Sequence, residues 1–197
     1  MRWENLFDDL ESQLEVELGS DEIDMQAEEE RLRLGRLTIR DRLKELAASS
    51  PNAPRFCRLE LADGVRVRVC LEAIGKDWLS GEVKIESGSS RTWLIPLEGI
   101  ATVVVDRALE VTTKDQFKEP VRELSDRLGF GFALRDLSRR RVDLDLVTRL
   151  GNSHGTIDRV GRDHIDFAVH EKGTPRRENS VSEFRLVPFT QILAVKL

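Results

Sequence analysis

Before residue 50 the apolar residues fall at helical spacing; from residue 58 onward they alternate with polar ones in short, strand-length runs. Val65, Val67, Val69 and Leu71 alternate with Arg66, Arg68, Cys70 and Glu72, which predicts a strand with one apolar face. Five strands are predicted in this region: Arg58–Ala62, Val65–Ile74, Trp78–Ile85, Thr92–Ile95 and Ala101–Val105. Asp63-Gly64 suits the turn between the first two, because glycine takes a positive φ without steric cost. Five more are predicted further on: Asp143–Thr148, Gly155–Val160, His164–His170, Phe184–Val187 and Leu193–Leu197.

The two sets are copies of one plan. Ile74-Gly75-Lys76-Asp77-Trp78-Leu79 matches Val160-Gly161-Arg162-Asp163-His164-Ile165 at an offset of 86. Leu94-Ile95-Pro96-Leu97-Glu98-Gly99-Ile100 matches Leu186-Val187-Pro188-Phe189-Thr190-Gln191-Ile192 at an offset of 92. The extra residues belong to the loop Glu171–Glu183 of the second copy. Pro96 and Pro188 follow the fourth strand of each copy, where a missing N–H costs least, and the next three residues suit a turn of 3₁₀ helix.

The first 48 residues predict helices. Trp3, Leu6, Phe7, Leu10, Leu14 and Leu18 share one helical face, opposite many acids. Gly19 ends that helix, Gly35 interrupts a second, and Thr38 starts a third with Ile39, Leu43, Leu46 and Ala47 inward. Between the copies, Pro120 and Gly129 bracket a helix with Val121, Leu124 and Leu128 inward, and Ala133–Leu137 adds a shorter piece. Strands this short leave costly edges in an open sheet of five, so each copy is expected to curl into a small barrel. The predicted class is α+β: an acidic helical arm over 1–50, a first five-stranded barrel over 55–106, a helical connector over 107–141 and a second barrel over 142–197.

Gly155-Thr156-Ile157-Asp158-Arg159-Val160, His164-Ile165-Asp166-Phe167-Ala168-Val169 and Val187-Pro188-Phe189-Thr190-Gln191-Ile192 resemble the Sm-like barrels, the group that includes the bacterial host-factor RNA chaperone. The likeness covers residues 38–105 and 117–197. It implies a helix, a bent five-stranded barrel and a last strand introduced by a short turn. It also implies single-stranded RNA bound around a ring, through an aromatic residue and a basic or histidine contact near that turn. Here the turn positions read Leu97, Glu98, Gly99 and Phe189, Thr190, Gln191, with no Lys-His pair.

Charge is unevenly spread. Residues 1–30 hold twelve acids and one base, and residues 31–48 carry a net of +4, so the total of −5 leaves +2 for the remainder. The acidity therefore belongs to the arm, and the usual electrostatic warrant for nucleic-acid binding is missing. No apolar run reaches the roughly 20 residues of a membrane span, and Trp3, Glu4, Phe7, Asp8 and Asp9 do not suit a signal peptide, which points to the cytoplasm.

Catalytic and metal chemistry is sparse. His164 and His170 are expected on one face of a strand but about 20 Å apart, Cys57 and Cys70 read as small hydrophobes, and Gly129-Phe130-Gly131-Phe132 reads as a helix stop. No enzyme activity, cofactor or metal site is expected. The first reading is a non-enzymatic cytoplasmic adaptor. Its stripe of Trp3, Leu6, Phe7, Leu10 and Leu14 either packs on its own body, docks a protein partner or self-associates. The alternative is RNA binding by Arg139, Arg140, Arg141, Arg159, Arg162, Arg176 and Arg177, with Trp78, Trp93, Phe130, Phe132 and Phe184 as stacking residues where exposed.

Overall fold

A computed structural model describes residues 25–48, 56–84, 90–105, 124–174 and 176–197. The arm stripe from Trp3 to Leu14 lies outside the described residues. The chain divides into two compact units, residues 1–39 and 40–197. In the first, α1 covers residues 25–36. Arg33 closes a two-pronged pair with Glu30 one turn back, at 2.6 and 2.7 Å, the spacing that brings side chains together on a helix surface.

The second unit is built on ten strands: β1 (Phe56–Leu61), β2 (Arg66–Ile74), β3 (Trp78–Lys84), β4 (Ser90–Pro96), β5 (Ile100–Val104), β6 (Asp143–Thr148), β7 (Gly151–Val160), β8 (His164–His170), β9 (Val181–Pro188) and β10 (Ile192–Lys196). Each of the ten predicted strands is present. Helix α2 (Ile39–Ala48) precedes β1, and α3 (Phe130–Arg140) precedes β6. A turn of 3₁₀ helix follows Pro96 and another follows Pro188.

The expected pair of closed barrels is not formed. The ten strands make one antiparallel sheet in the order β5-β1-β2-β3-β4-β10-β6-β7-β8-β9. Closing each copy on itself would require β4 against β5 and β9 against β10. Instead β10 lies between β4 and β6, with Val195 opposite Leu94 on one side and Leu146 on the other. The edge problem that argued for closure is met at this place by pairing one copy with the other. Ile192 to Val195 are all buried, so this interior strand is apolar on both faces rather than alternating.

The two halves do share one strand order, with the fifth strand first and the fourth last. Their details repeat as well. Pairing skips a residue between Leu71 and Ala73 in β2 and between Ile157 and Arg159 in β7. The turn after β2 is closed by the Gly75 N–H on the Trp78 carbonyl (2.7 Å), and that after β7 by the Gly161 N–H on the His164 carbonyl (2.8 Å). The halves also share cores. Val147, Leu193 and Ala194 pack with Leu43, Leu59, Val69 and Leu79, while Trp78 and Leu94 pack with Phe130, Leu134, Ile165 and Phe167.

Pro120 and Val121 of the predicted connector helix lie outside the described residues, and the described part of the connector departs from its predicted course. Residues 124–127 form a 3₁₀ turn with Leu124 exposed, and Gly129 is the N-cap of α3 rather than a stop. Glycine has no side chain to cap with; the Asp77 carboxylate accepts the Phe130 N–H instead (2.6 Å), a tertiary substitute that local sequence cannot reveal. In α2, Leu43 and Ala47 are buried as expected, Leu46 is half-buried and Ile39 is exposed. Cys57 is buried, and that burial pushes its thiol up to about 11, keeping it protonated and apolar.

Gly155 on β7 lies so close to the Ala168 carbonyl that a Cβ would overlap it. Gly155→Ala is therefore expected to cost roughly 1–3 kcal/mol through forced separation of β7 and β8, read as a lowered denaturant midpoint with unchanged slope.

Candidate functional site

Two places in the second unit combine accessible chemistry with a reason to be there: a polar cleft beside the β4–β10 joint, and the unpaired strand β9 at the end of the sheet. The joint itself is built from both copies. Trp78 donates its indole N–H to the Leu128 carbonyl (2.9 Å), and the Lys76 N–H bonds the same carbonyl (3.0 Å). This seats the start of α3 on the Gly75–Trp78 turn of the first copy. Phe130 then meets Phe189 edge-on at 5.9 Å.

The cleft, about 370 Å³, is lined by Arg91, Asp143, Asp145, His154, Lys172 and Lys196 among others. Asp145 on β6 is its hub. It takes a hydrogen bond from Arg91 of β4 (2.9 Å), lies 2.6 Å from the His154 Nδ1 and 3.6 Å from the Lys172 ammonium. Burial pushes its carboxyl up, but the His154 hydrogen bond and the charges of Lys172, His154 and Arg91 outweigh that and hold it below the ordinary carboxylate range. The second ring nitrogen of His154 is Nε2. That atom is sealed from solvent and has no partner among the described residues. It does not face the cleft as a general base, so the Asp145–His154 pair works as a clamp. Because Arg91 comes from the first copy and Asp145 from the second, the clamp fastens the joint.

His154 also meets His170 edge-on at 5.4 Å. His164 and His170 stand six residues apart on β8, but they differ in burial: His170 is fully buried while His164 stays half-exposed. His170 lies 2.8 Å from the Thr156 hydroxyl, which is 3.1 Å from Asp143. Among the described residues no group of three or more His, Cys, Asp or Glu is placed to hold a metal ion. No helix among them is long and apolar enough to cross a membrane.

Several of the arginines singled out from sequence are held by acids, and the end of α3 that carries Arg139 and Arg140 lies beside Asp158 through the Ser138 hydroxyl (3.3 Å). Arg139 and Arg140, at the end of α3, both pair with Asp136 (2.6 and 2.9 Å). Arg176 grips Asp158 with two parallel bonds. Arg141, Arg159, Arg162 and Arg177 are exposed. Of the five aromatic residues named with them, Trp78, Trp93 and Phe130 are buried, and Phe132 and Phe184 are exposed.

Phe184 belongs to the second place, the β9 edge. Strand β9 pairs with β8 on one side, and among the described residues no strand lies on its other side. Phe184 and Leu186, two apart and so on one face, are 66% and 75% exposed. Leu94 occupies the position of Leu186 in the first copy and is only 5% exposed, because β10 lies against it. A free row of backbone donors and acceptors with an apolar face is a template for another strand. The chain matches no known protein-family model, no curated protein and no solved structure.

Sequence inspection missed the Asp145–His154 clamp, although the signal was present. Counting back from the Gly151 turn, Thr148 faces Gly151 and Asp145 faces His154, so the hairpin register alone brings them together. Asp145→Asn is expected to cost roughly 1–3 kcal/mol near neutral pH. Because the folded carboxyl titrates below its unfolded value, that stability is present above about pH 4 and is lost as pH falls through the lowered value. Unfolding curves of the two proteins should therefore separate at pH 7 and converge in acid.

Proposed function

We propose that the protein is a non-enzymatic cytoplasmic adaptor that takes an extended segment of a protein partner onto the open edge of β9. The single observation supporting this is the contrast within the repeat: Leu94 is covered by an added strand, and its counterpart Leu186 lies bare beside Phe184. Strand addition draws affinity from backbone hydrogen bonds and selectivity from alternate side chains. Phe184 and Leu186 supply the apolar contacts, while Glu183 and Arg185, already paired with each other, flank them. The apolar stripe Trp3, Leu6, Phe7, Leu10 and Leu14 is the second contact element of this reading, for a partner or for another arm.

RNA binding is the alternative, favoured by the exposure of Arg141, Arg159, Arg162 and Arg177. It is the weaker reading because Arg139 and Arg140 already share Asp136 and Arg176 is paired with Asp158.

The test is capture from the native host with wild-type protein and with a Phe184→Ser, Leu186→Ser double variant, each with and without nuclease. The adaptor reading expects specific proteins, resistant to nuclease, that the double variant loses. An identical partner list for both baits overturns it. Partners that vanish only with nuclease, together with RNA retention at about 50 mM salt, would favour the arginine surface instead.

A further inference from the structure

The β4–β10 joint is a contact between two copies of one structural plan, and the two outer strands of the sheet, β5 and β9, carry the counterparts of its two halves without a strand partner on their outer sides among the described residues. On the β4 side of the joint stand Trp78 and Leu94; their counterparts at the far end are His164, half-exposed, and Leu186, bare. On the other side stand β10 and the start of α3. Their counterparts are β5 and the start of α2. Phe130 lies four residues before the fully buried Leu134 of α3, as Ile39 lies four before the fully buried Leu43 of α2. Phe130 is 3% exposed and Ile39 46%. Strand β10 is paired on both sides, whereas among the described residues β5 pairs only with β1, and Val104 is exposed.

We infer that the occupant of the β9 edge is β5 of a second copy of this chain, joined as β4 is joined to β10 within one chain. This deepens the proposed function and rests on β9 being a docking edge. The internal joint fixes the register. Val195 opposite Leu94 and Lys196 opposite Trp93 become Val103 opposite Leu186 and Val104 opposite Arg185 of the neighbour. The Gly161–His164 turn of one copy would then meet the start of α2 in the next, as the Gly75–Trp78 turn meets α3. Each copy offers one β5 edge and one β9 edge, so the contact is head-to-tail and uses two different surfaces.

That asymmetry makes the test decisive. Leu186→Asp places a charge on β9 and leaves β5 intact; Val104→Lys sets a cation opposite Arg185 and leaves β9 intact. Both positions are exposed, and circular dichroism with a thermal midpoint confirms that each variant folds. The expected result by light scattering is a wild-type mass that is a multiple of the chain, single-chain masses for each variant alone, and a two-chain mass when the variants are mixed. The mixed pair recovers because one good β5 edge meets one good β9 edge; a two-fold contact of like surfaces would not recover. A single-chain mass for the wild type over a full dilution series overturns the inference, as does a Leu186→Asp mass equal to wild type or a mixture that stays at single-chain mass. If the wild type is a single chain yet the Phe184→Ser, Leu186→Ser variant still loses its captured proteins, the second copy is excluded and the β9 docking edge stands.

Discussion

The fold depends on β10 being paired on both sides. This five-residue strand is the last of the second copy, yet it completes the first by lying against β4. Both of its faces are buried, and its neighbours feed both hydrophobic cores. Apolar burial supplies the driving force here, and the ladder of backbone bonds fixes which strand lies where. The Arg91–Asp145–His154 clamp then fastens the same seam from the polar side. Remove that seam and the sheet would divide into two five-stranded pieces, each with an apolar edge in water.

Duplication explains why the seam is good and the ends are not. The same backbone plan occurs twice, down to the skipped residue in β2 and β7 and the glycine-closed turns. The inner contact has large buried side chains, Trp78, Leu94 and Phe130. The outer positions carry His164, Leu186 and Ile39, a smaller and more polar set. The inner seam therefore buries more apolar area than those outer positions could, and burial of apolar area is what holds it.

Much of this was legible in the residues. Alternation located ten strands, and self-similarity paired them into two copies, because both signals are local or nearly so. Closure was not legible. Whether a five-stranded unit seals on itself or on its neighbour depends on which fourth strand meets which fifth strand, and Leu94 and Leu186 look alike in sequence while differing wholly in exposure. Gly129 failed for a related reason: its capping carboxylate, Asp77, lies 52 residues earlier in the chain. The burial of His170 was not legible because it comes from contacts with His154 and Thr156 of β7, which alternation along a single strand does not show. The Asp145–His154 pair was readable from the hairpin register, and only the habit of scanning for metal spacing hid it.

Pro188 has a consequence for what β9 can accept. The Phe189 N–H points back to the Asp163 carbonyl, so the proline ring just before it occupies the outward side of the strand and offers no donor there. At the seam, pairing with β10 covers Trp93 and Leu94 and stops short of the corresponding Pro96. Any strand arriving at β9 meets the same barrier. It can zip along only a few residues before it must turn away, which favours short, exact matches.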